Sequence, residues 1–494
     1  MFLLALLGYL AAGHGAPLKL RIVDEAGRPV WARLEVYGPG GKPYQPSTAI
    51  LDPRSKGAAE APGYRASFVV EGECALDVPP GEYRVIAERG LEYERVESNV
   101  KTGEGEARIR IAPWIRMRER GWYSADFHVH RAIEHVAALA QAEDVNLSVV
   151  FTMWNKRNLW EGKPLPAPPV MTISPHHAAT IMNAEDERGG GAWMLHQIPE
   201  PLALGVDGRW HPPGIEFVRQ ARARRAKGGL FPWFDLEKLI WWEVPVIMAL
   251  EPADSLGVLH NHYQQYLMMD NEAWGRPRDK SAHPGAGGFS SYTTGLYYRY
   301  LNLGFRLPPS AGSASGVLQS PVGYNRIYTR LEKPFTAENW YAAYRTEPSF
   351  VTNGPMLFFD TFTEDGARKA RVRVQAREPI DRVELVANGR ILRTFTMEAG
   401  TREWQGEAAF DAGSHSWIAA RCFLKSGITV RMAHSSPVYL NGKWDAREDA
   451  RYFADWIDAL IAETTNDSAR FRSDKEREEV LDLYRKARAV YWNR

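Results

Sequence analysis

The sequence predicts a multidomain protein that combines α/β and all-β architecture. The chain has 494 residues, which is room for about three domains at roughly 150 residues each. Hydrophobic residues make up 45% and charged residues 24%, the usage of an ordinary globular protein. Short alternating strands lie on both sides of a central block in which strand-like and helix-like runs alternate, and the end of the chain has helical periodicity.

The first residues, MFLLALLGYLAAGHG, predict a signal peptide over residues 1–15. The apolar run from Phe2 to Ala12 is too short to span a bilayer, and Gly13 and Gly15 suit a cleavage site. The segment lacks the usual Lys or Arg, and a buried first strand is the alternative. No other stretch reaches 18 apolar residues, so we expect no transmembrane anchor and a secreted or periplasmic protein.

Residues 17–115 have the pattern of a β-sandwich. LKLRIVDEAGRPVWARLEVY alternates apolar and polar residues around a turn, and a Pro-Pro-Gly turn separates later strands. The order strand, G-x-P-V, strand, P-P-G-x-Y-x-V resembles carboxypeptidase-regulatory-like or transthyretin-like domains. Nothing in this stretch looks catalytic, so we expect it to support the chain or to bind.

The central block, residues 118–354, predicts parallel βα units. The strand-like runs WYSADFHVH, LSVVFTM, PVIMAL and GVLHNH alternate with segments such as EHVAALAQAEDV and FVRQARARRAKG, the order typical of a parallel sheet with crossover helices. Residues 355–440 return to short strands and predict a second sandwich, with Asn388-Gly389 as a hairpin turn. Residues 441–494 predict a helical tail in which Ser473 is a helix N-cap.

Charge and cysteine content limit the partners and the kind of metal site. Lys and Arg total 61 against 60 for Asp and Glu, a net charge of +1, which does not indicate a nucleic-acid partner. Cys74 and Cys422 fall in different predicted domains, so we expect no disulfide and no cysteine-rich zinc module. A metal in this chain must therefore be held by histidines and carboxylates.

The segment SADFHVH carries the sharpest chemical signal. Residues two apart on a strand share a face, so Asp126, His128 and His130 lie on one side and Phe127 and Val129 on the other. Two imidazoles about 7 Å apart along a strand can converge on one ion at roughly 2.0–2.1 Å each. Asp126 can bond an imidazole N–H or join the metal shell.

Further ligand-type residues follow at later predicted strand ends. Glu185 lies in MNAEDERGGG and His196 in AWMLHQIPEP, a carboxylate and an imidazole of the kind that Zn, Mn or Fe accept. Asp235 and Glu237 follow a Gly-Gly turn in FPWFDLEK, where the alternative is a helix start with Asp235 as N-cap.

A second H-x-H pair and several tryptophans complete the candidates. His260 and His262 in GVLHNH share one strand face. The 17 tryptophans of the chain are costly to bury without a partner for the indole N–H, so some are expected to line a pocket. The tryptophans that could wall it are Trp241, Trp242 and Trp274.

These motifs resemble the PHP (polymerase and histidinol phosphatase) metallohydrolase superfamily, and more narrowly its CehA/McbA-type, carbaryl-hydrolase-like branch. The resemblance covers most of the chain and includes DFHVH, WWEVPV, NHYQ, LPPSAGSASGVLQSPVGYNRIY and FVTNGP. It implies a distorted (β/α)7 barrel with metals at the C-terminal strand ends. In that family Glu185 corresponds to a glutamate that can bridge metals. The ligands implied are His128, His130, Glu185, His196 and His262, with Asp235 standing near the place of a further histidine.

The chain departs from the superfamily at two places. The T-D-H after the second strand is here Thr152-Met153-Trp154, and the late D-x-H is Ala314-Ser315-Gly316. A three-metal cluster is therefore not expected, and one or two divalent ions (Zn, Mn or Fe) remain. Without these ligands a phosphoesterase is also less expected, because a metal cluster best stabilises both oxygens of an in-line displacement.

We therefore expect an exported metal-dependent hydrolase that attacks an ester, carbamate, amide or phosphoester with a metal-activated water. The substrate would be a small or glycan-derived molecule. Glu185 or Asp235 would take the proton, and Arg326 in VGYNR is a candidate anion or carbonyl clamp, with a structural ion pair as the alternative. The competing hypothesis is a degenerate barrel with a structural metal in a non-catalytic extracellular binding protein, for example one for glycans.

Overall fold

The computed structural model describes residues 17–47, 49–51, 66–203, 209–224, 232–273 and 275–493. The predicted signal peptide and Trp274 lie outside these residues. Across the described residues, we find no helix with the length and apolar character needed to cross a membrane. The fold is mixed α/β and rich in strands.

The N-terminal region contains the predicted strands, arranged in two sheets. One sheet has the order β6-β1-β9 and the other the order β4-β5-β2-β7-β8, with β3 paired to β2. Side chains from both sheets, including Ile22, Leu34 and Phe68, share one buried core. The strands are β1 Leu18–Val23, β2 Trp31–Tyr37, β3 Pro43–Tyr44, β4 Ile50–Leu51, β5 Ser67–Glu71, β6 Glu73–Leu76, β7 Glu82–Glu88, β8 Val96–Lys101 and β9 Glu106–Arg110.

The central region alternates strands and helices, as the sequence predicts. Its strands are β10 Trp122–Val129, β11 Leu147–Val150, β12 Met153–Trp154, β13 Arg157–Asn158, β14 Val170–Ser174, β15 His177–Thr180, β16 Ala184–Arg188, β17 Gly191–His196, β18 Trp233–Leu236, β19 Ser255–Leu259, β20 Pro309–Ala311, β21 Arg326–Arg330 and β22 Ser349–Thr352. Its helices are α1 Ile133–Ala142, α2 Ile215–Ala223, α3 Val244–Leu250, α4 Gly285–Asn302 and α5 Ala337–Thr346.

The central strands divide between two open sheets, and hydrogen bonding does not close them into a barrel. The sheet β13-β12-β16-β17-β18-β19-β20 faces the sheet that contains β10, β11, β21 and β22. Pairing is parallel for β10–β11 and β18–β19–β20, as expected, but antiparallel for β16–β17–β18. The prediction of parallel units is wrong at β16–β17 because only Gly189 and Gly190 connect these strands, which allows a hairpin and leaves no room for a crossover helix.

The C-terminal strands form two sheets that share one buried core, and one of these sheets continues into the central region because β29 pairs with β22. The larger sheet therefore runs β14-β15-β11-β10-β21-β22-β29-β28-β25-β26, while β23, β24 and β27 form a three-stranded sheet of their own. The predicted hairpin turn is present, with positive φ at Asn388 and Gly389. The strands are β23 Met356–Glu364, β24 Ala367–Gln375, β25 Ile380–Ala387, β26 Arg390–Thr396, β27 Glu403–Ala409, β28 Trp417–Leu424, β29 Met432–Ser435 and β30 Val438–Tyr439.

Two long helices end the chain, α6 Arg447–Asn466 and α7 Asp474–Trp492. Ser473 is the N-cap of α7, as predicted, and its hydroxyl accepts the Glu476 N–H at 3.2 Å. The hydroxyl of Tyr484 donates to Glu243, and that of Tyr491 donates to the Pro245 carbonyl at 2.9 Å. The tail therefore packs on α3 of the central region.

Candidate metal centre

Three ligand-type side chains meet at the end of β10. His128 lies on β10, His130 follows one residue after the strand ends, and Glu185 lies on β16 of the facing sheet. The Nε2 atoms of the two histidines are 2.9 Å apart, and Oε2 of Glu185 lies 2.8 Å from His130 Nε2 and 3.5 Å from His128 Nε2. Among the described residues, this group could hold a metal ion.

The distances suit ligands of a single ion. Two imidazole nitrogens at 2.0–2.1 Å from one metal stand about 3 Å apart when the ligand angle is near 90°. Glu185 Oε2 is buried and accepts no hydrogen bond of normal geometry, although His130 Nε2 is close. A buried carboxylate oxygen without a donor is unusual, and a cation at this point would satisfy it.

Glu237 fixes the orientation of the first histidine. Its Oε1 lies 2.8 Å from His128 Nδ1 and also accepts the backbone N–H of Asn261 at 3.1 Å. With the Nδ1–H donated to this carboxylate, Nε2 is the His128 nitrogen that faces His130 and Glu185, and it can bind a metal once its proton leaves. A carboxylate behind a histidine is the usual outer partner of a metal-binding imidazole.

The group is strongly coupled electrostatically. Burial lowers the pKa of His128, but the carboxylates of Glu237 and Glu185 outweigh burial and raise it to about 10. Burial raises the pKa of Glu185, but the two histidines lower it to about 2. The two carboxylates therefore hold a positive charge between them, and a divalent cation would take the place of that proton.

Asp126 holds the backbone of this strand and does not touch the imidazoles. Its carboxylate accepts the N–H groups of His128 at 3.0 Å and Gly323 at 2.7 Å, and it also accepts the Ser313 hydroxyl. This corrects the prediction that Asp126 bonds an imidazole N–H. Gly312 comes so close that a Cβ there would stand 2.5 Å from His128 Cβ.

Two segments in which the sequence departs from the superfamily pattern, residues 152–154 and 314–316, lie beside the site. The Ser315 carbonyl accepts the His130 N–H at 2.7 Å, so this segment fixes backbone and adds no ligand. The Trp154 ring, where the superfamily has a histidine, lies 4.7 Å from the His130 ring, and its N–H donates to Glu187 at 3.0 Å. His130 and Trp154 are partly exposed, which places the open side of the site here.

His196 lies near the group but outside it. Its ring packs at 4.8 Å from the Phe127 ring and 5.7 Å from the Phe151 ring, and Nδ1 lies 3.1 Å from the Tyr341 hydroxyl. Its Nε2 is buried without a hydrogen-bond partner. Burial and the charge of His128 lower its pKa to about 3, so this imidazole is neutral. Its role as a ligand stays a prediction.

Asp235 and His262 also lie outside the group. Asp235 accepts a hydrogen bond from the Ser255 hydroxyl, and burial raises its pKa to about 7. His262 Nδ1 lies 3.0 Å from the Met269 carbonyl, and the ring stacks on Phe289 at 5.6 Å. These contacts give both residues other partners, although the charge of His128 still acts on Asp235. Their role as metal ligands stays a prediction.

Arg326 and the tryptophans have contacts away from the group. The Arg326 guanidinium donates to the backbone carbonyls of Gly323, Asp144 and Glu143, which does not support a clamp at the metal group. The Trp242 ring lies 6.4 Å from the Trp456 ring on α6. Trp241 is buried, with the Lys238 ammonium 4.7 Å from its ring. Neither tryptophan is placed in a wall of the site by these contacts.

The residue whose importance the sequence reasoning missed is Glu237. It stands two positions after Asp235, immediately after β18 ends at Leu236. The D-x-E spacing was visible, but which carboxylate reaches the histidines depends on where the strand ends. No family model, curated protein or solved structure matches the chain. The site must therefore be interpreted from its geometry.

Proposed function

We propose that the chain is a metal-dependent hydrolase whose ion is held by His128, His130 and Glu185. The observation that carries the proposal is the convergence of two imidazole nitrogens and one carboxylate oxygen at one buried point. Three protein ligands with one position left for water or substrate is the arrangement of catalytic zinc sites. The resemblance to the PHP superfamily, including its barrel and an exported location, belongs to this proposal.

The charge of the site favours a divalent cation. Glu185 and Glu237 are both buried next to His128, and two carboxylates balance a charge of +2. The Lys238 ammonium, 3.6 Å from Glu237 Oε2, balances part of this charge. Burying the remaining charge is costly, and a cation held by the histidines and Glu185 would balance it. Zn, Mn and Fe all accept histidine and carboxylate ligands.

A bound ion would polarise a carbonyl or phosphoryl oxygen and lower the pKa of its water. The chain's own residues would orient the ligands and move the proton. Glu237 Oε1 holds the His128 ring, and its Oε2 lies 3.6 Å from the Lys238 ammonium. Burial raises the pKa of Glu237, but His128 and Lys238 outweigh burial and lower this pKa, which makes Glu237 a weak proton acceptor. Asp235, whose pKa burial raises to about 7, is the better candidate to accept the proton. The reaction class is hydrolysis of an ester, carbamate, amide or phosphoester.

Metal analysis of purified protein tests the site. We expect about one equivalent of divalent metal in the wild type and almost none in the His128→Ala/His130→Ala double variant. The matched control is His135→Ala/His176→Ala, which removes two exposed histidines elsewhere in the central region. Equal metal content in the two double variants would overturn the proposal.

A panel of ester, carbamate, amide and phosphoester substrates tests the reaction. Turnover by the metal-loaded wild type that disappears with His128→Ala/His130→Ala supports the hydrolase. Bound metal without turnover of any of these classes supports the competing hypothesis of a binding protein with a structural metal.

A further inference from the structure

A second chemically distinctive site is a cavity of about 200 Å³ where the three regions of the chain meet. The N-terminal strands, the central region and the C-terminal strands all contribute to its wall. It lies apart from His128, His130 and Glu185, none of which lines it. The charged and hydroxyl-bearing lining residues include Arg33, Arg95, Arg326, Arg377, Arg431 and Tyr324.

The cavity carries an excess of positive charge. Five arginines line it against three glutamates. Arg33 pairs with Glu143 at 2.6 Å and with Glu88 at 2.8 Å. Arg431 and Arg377 share the third glutamate, Glu378, at 2.6 and 3.3 Å. All the lining carboxylates are thus already engaged, and two arginines have no carboxylate partner in the wall.

Arg326 is the first of these two, and it is 1% exposed. Its guanidinium donates to the carbonyls of Gly323, Asp144 and Glu143 and also interacts with the Tyr328 hydroxyl. Within the described ranges no carboxylate lies at ion-pair distance from it. A buried cation whose direct partners are neutral groups is expensive, and an anion in the cavity would compensate it.

Arg95 is the second, and it pairs instead with Glu97 at 3.1 Å on the open side. Its side chain is 41% exposed, so it can turn toward a ligand at little cost. Because Arg84 pairs with the same Glu97 at 3.0 Å, the carboxylate keeps a partner when Arg95 moves.

Tyr324 supplies an independent sign of a ligand. It lines the cavity, is 4% exposed, and its hydroxyl makes no hydrogen bond in the described part of the chain. Burial raises the pKa of this phenol to about 12, although the nearby Arg431 opposes the rise. The hydroxyl therefore stays protonated and can donate. A buried donor without an acceptor is uncommon, and an oxyanion would accept its hydrogen bond.

We propose that this interdomain cavity binds a small oxyanion, the phosphate or carboxylate group of a compact ligand, through Arg326, Arg95 and Tyr324. Guanidinium and phenol donors match the oxygens of either group. The volume corresponds to about six water molecules at roughly 30 Å³ each, which admits a phosphate or a short dicarboxylate and excludes a polymer.

Calorimetric titration of the full-length protein tests the proposal. The protein is first stripped of metal and the chelator dialysed away, so that phosphate cannot bind to an ion at His128. Inorganic phosphate is titrated in one arm and succinate in the other, and the tighter ligand identifies the source of the oxyanion. We expect saturable binding at one site in at least one arm.

Paired variants locate the binding in the cavity. Tyr324→Phe should weaken binding about tenfold to a hundredfold, the effect of one lost hydrogen bond to a charged group. Tyr292→Phe is its control, because it also removes a buried hydroxyl without a hydrogen-bond partner in the described structure. Arg95→Gln should weaken binding by a similar factor, whereas Arg84→Gln, which removes the other partner of Glu97, should leave it unchanged.

Two results would overturn the proposal. One is the absence of saturable binding of both ligands up to concentrations on the order of 10 mM, weaker than the range of specific sites. The other is binding that responds equally to Tyr324→Phe and Tyr292→Phe. Because the titration uses metal-free protein, its outcome is separate from that of the proposed hydrolase.

Discussion

Two H-x-H pairs at the ends of two strands have opposite environments. The Nε2 atoms of His128 and His130 face each other at 2.9 Å, with Glu185 beside them. In the second pair, His260 Nδ1 accepts the His262 N–H at 3.3 Å, and His262 Nδ1 lies 3.0 Å from a backbone carbonyl. The first pair directs its Nε2 atoms at one point, whereas in the second pair the His260 Nδ1 accepts and the His262 Nδ1 donates hydrogen bonds within the same loop.

The difference teaches that spacing alone does not make a metal site. Both pairs have the same separation, and both follow buried strands, β10 and β19. The first pair has Glu185 from the other central sheet at 2.8 Å and Glu237 hydrogen-bonded behind the His128 ring. Among the described residues, no carboxylate lies at ion-pair distance from His260 or His262, although the charge of Glu237 reaches His260. The four predictions below test whether these two carboxylates account for the contrast.

Removing the facing carboxylate should have the largest effect. Glu185→Gln replaces an anionic ligand by a neutral amide, so we expect metal affinity to fall by about a hundredfold or more and metal content after dialysis to approach zero. Glu187→Gln, two residues along the same strand, is the control, because its carboxylate binds Trp154 and Asn155. Equal metal loss in both variants would place Glu185 outside the coordination shell.

Removing the carboxylate behind the ring should have an intermediate effect. Glu237→Gln keeps a hydrogen-bond acceptor but loses the charge that holds His128, and we expect about a tenfold to hundredfold loss of metal affinity. Asp235→Asn, two residues earlier, should change affinity much less because its partner is Ser255. Competition with a fluorescent zinc chelator measures both. A larger loss of metal affinity in Asp235→Asn than in Glu237→Gln would contradict this role of Glu237.

A histidine outside both pairs provides the purely structural case. His434 is fully buried, accepts the Tyr298 hydroxyl at 2.8 Å and donates to the Ser435 carbonyl at 2.7 Å. Burial lowers its pKa to about 3, below the value of about 6.5 in an unfolded chain. Its contribution to stability is therefore complete above pH 6.5 and is lost as the pH falls toward 3.

The slope of unfolding free energy against pH measures this contribution. Between pH 6 and 5, His434 should account for about 1.4 kcal/mol per pH unit, and His434→Gln should flatten the slope by about that amount. The exposed His135, changed to Gln, serves as the control and should leave the slope unaltered. Urea unfolding at each pH gives the free energies, and identical slopes for all three proteins would contradict the assignment.

The smallest effect is expected at the second pair. His262→Ala removes a ring stacked on Phe289, so stability should fall, but metal stoichiometry should stay at the wild-type value. His130→Ala is the matched change in the first pair and should lower the metal stoichiometry. Loss of metal in His262→Ala would restore His262 to the ligand set that the family resemblance implies.

Local pattern was sufficient to predict the first ligand pair and most of the elements. The alternation in SADFHVH gives β10 and the shared face of His128 and His130, and Ser473 marks the start of α7. Residue type at a later strand end gave Glu185 as a candidate, the resemblance supported it, and the structure brings it to the same point. What local pattern could not give is long-range pairing, such as β22 with β29.

The errors at Asp126 and Glu237 arise from hydrogen bonds and strand ends that residue spacing does not predict. Asp126 lies on the expected face of β10, yet its carboxylate is taken by the N–H groups of His128 and Gly323, the latter nearly two hundred residues away in sequence. Glu237 reaches His128 because β18 ends one residue earlier. A one-residue change in a strand end moves a side chain to another neighbour, which no periodicity predicts.

The pairing of β22 with β29 has a practical consequence for dissecting this protein. A break after residue 354, at the boundary that the sequence suggests, would remove β29 from one edge of β22 and leave the backbone N–H and C=O groups of that edge unpaired, while the pairing with β21 on the other edge would remain. Exposed strand edges of this kind recruit other chains and aggregate. The central and C-terminal regions are thus a single unit of expression, and a fragment ending at residue 354 would be prone to aggregation.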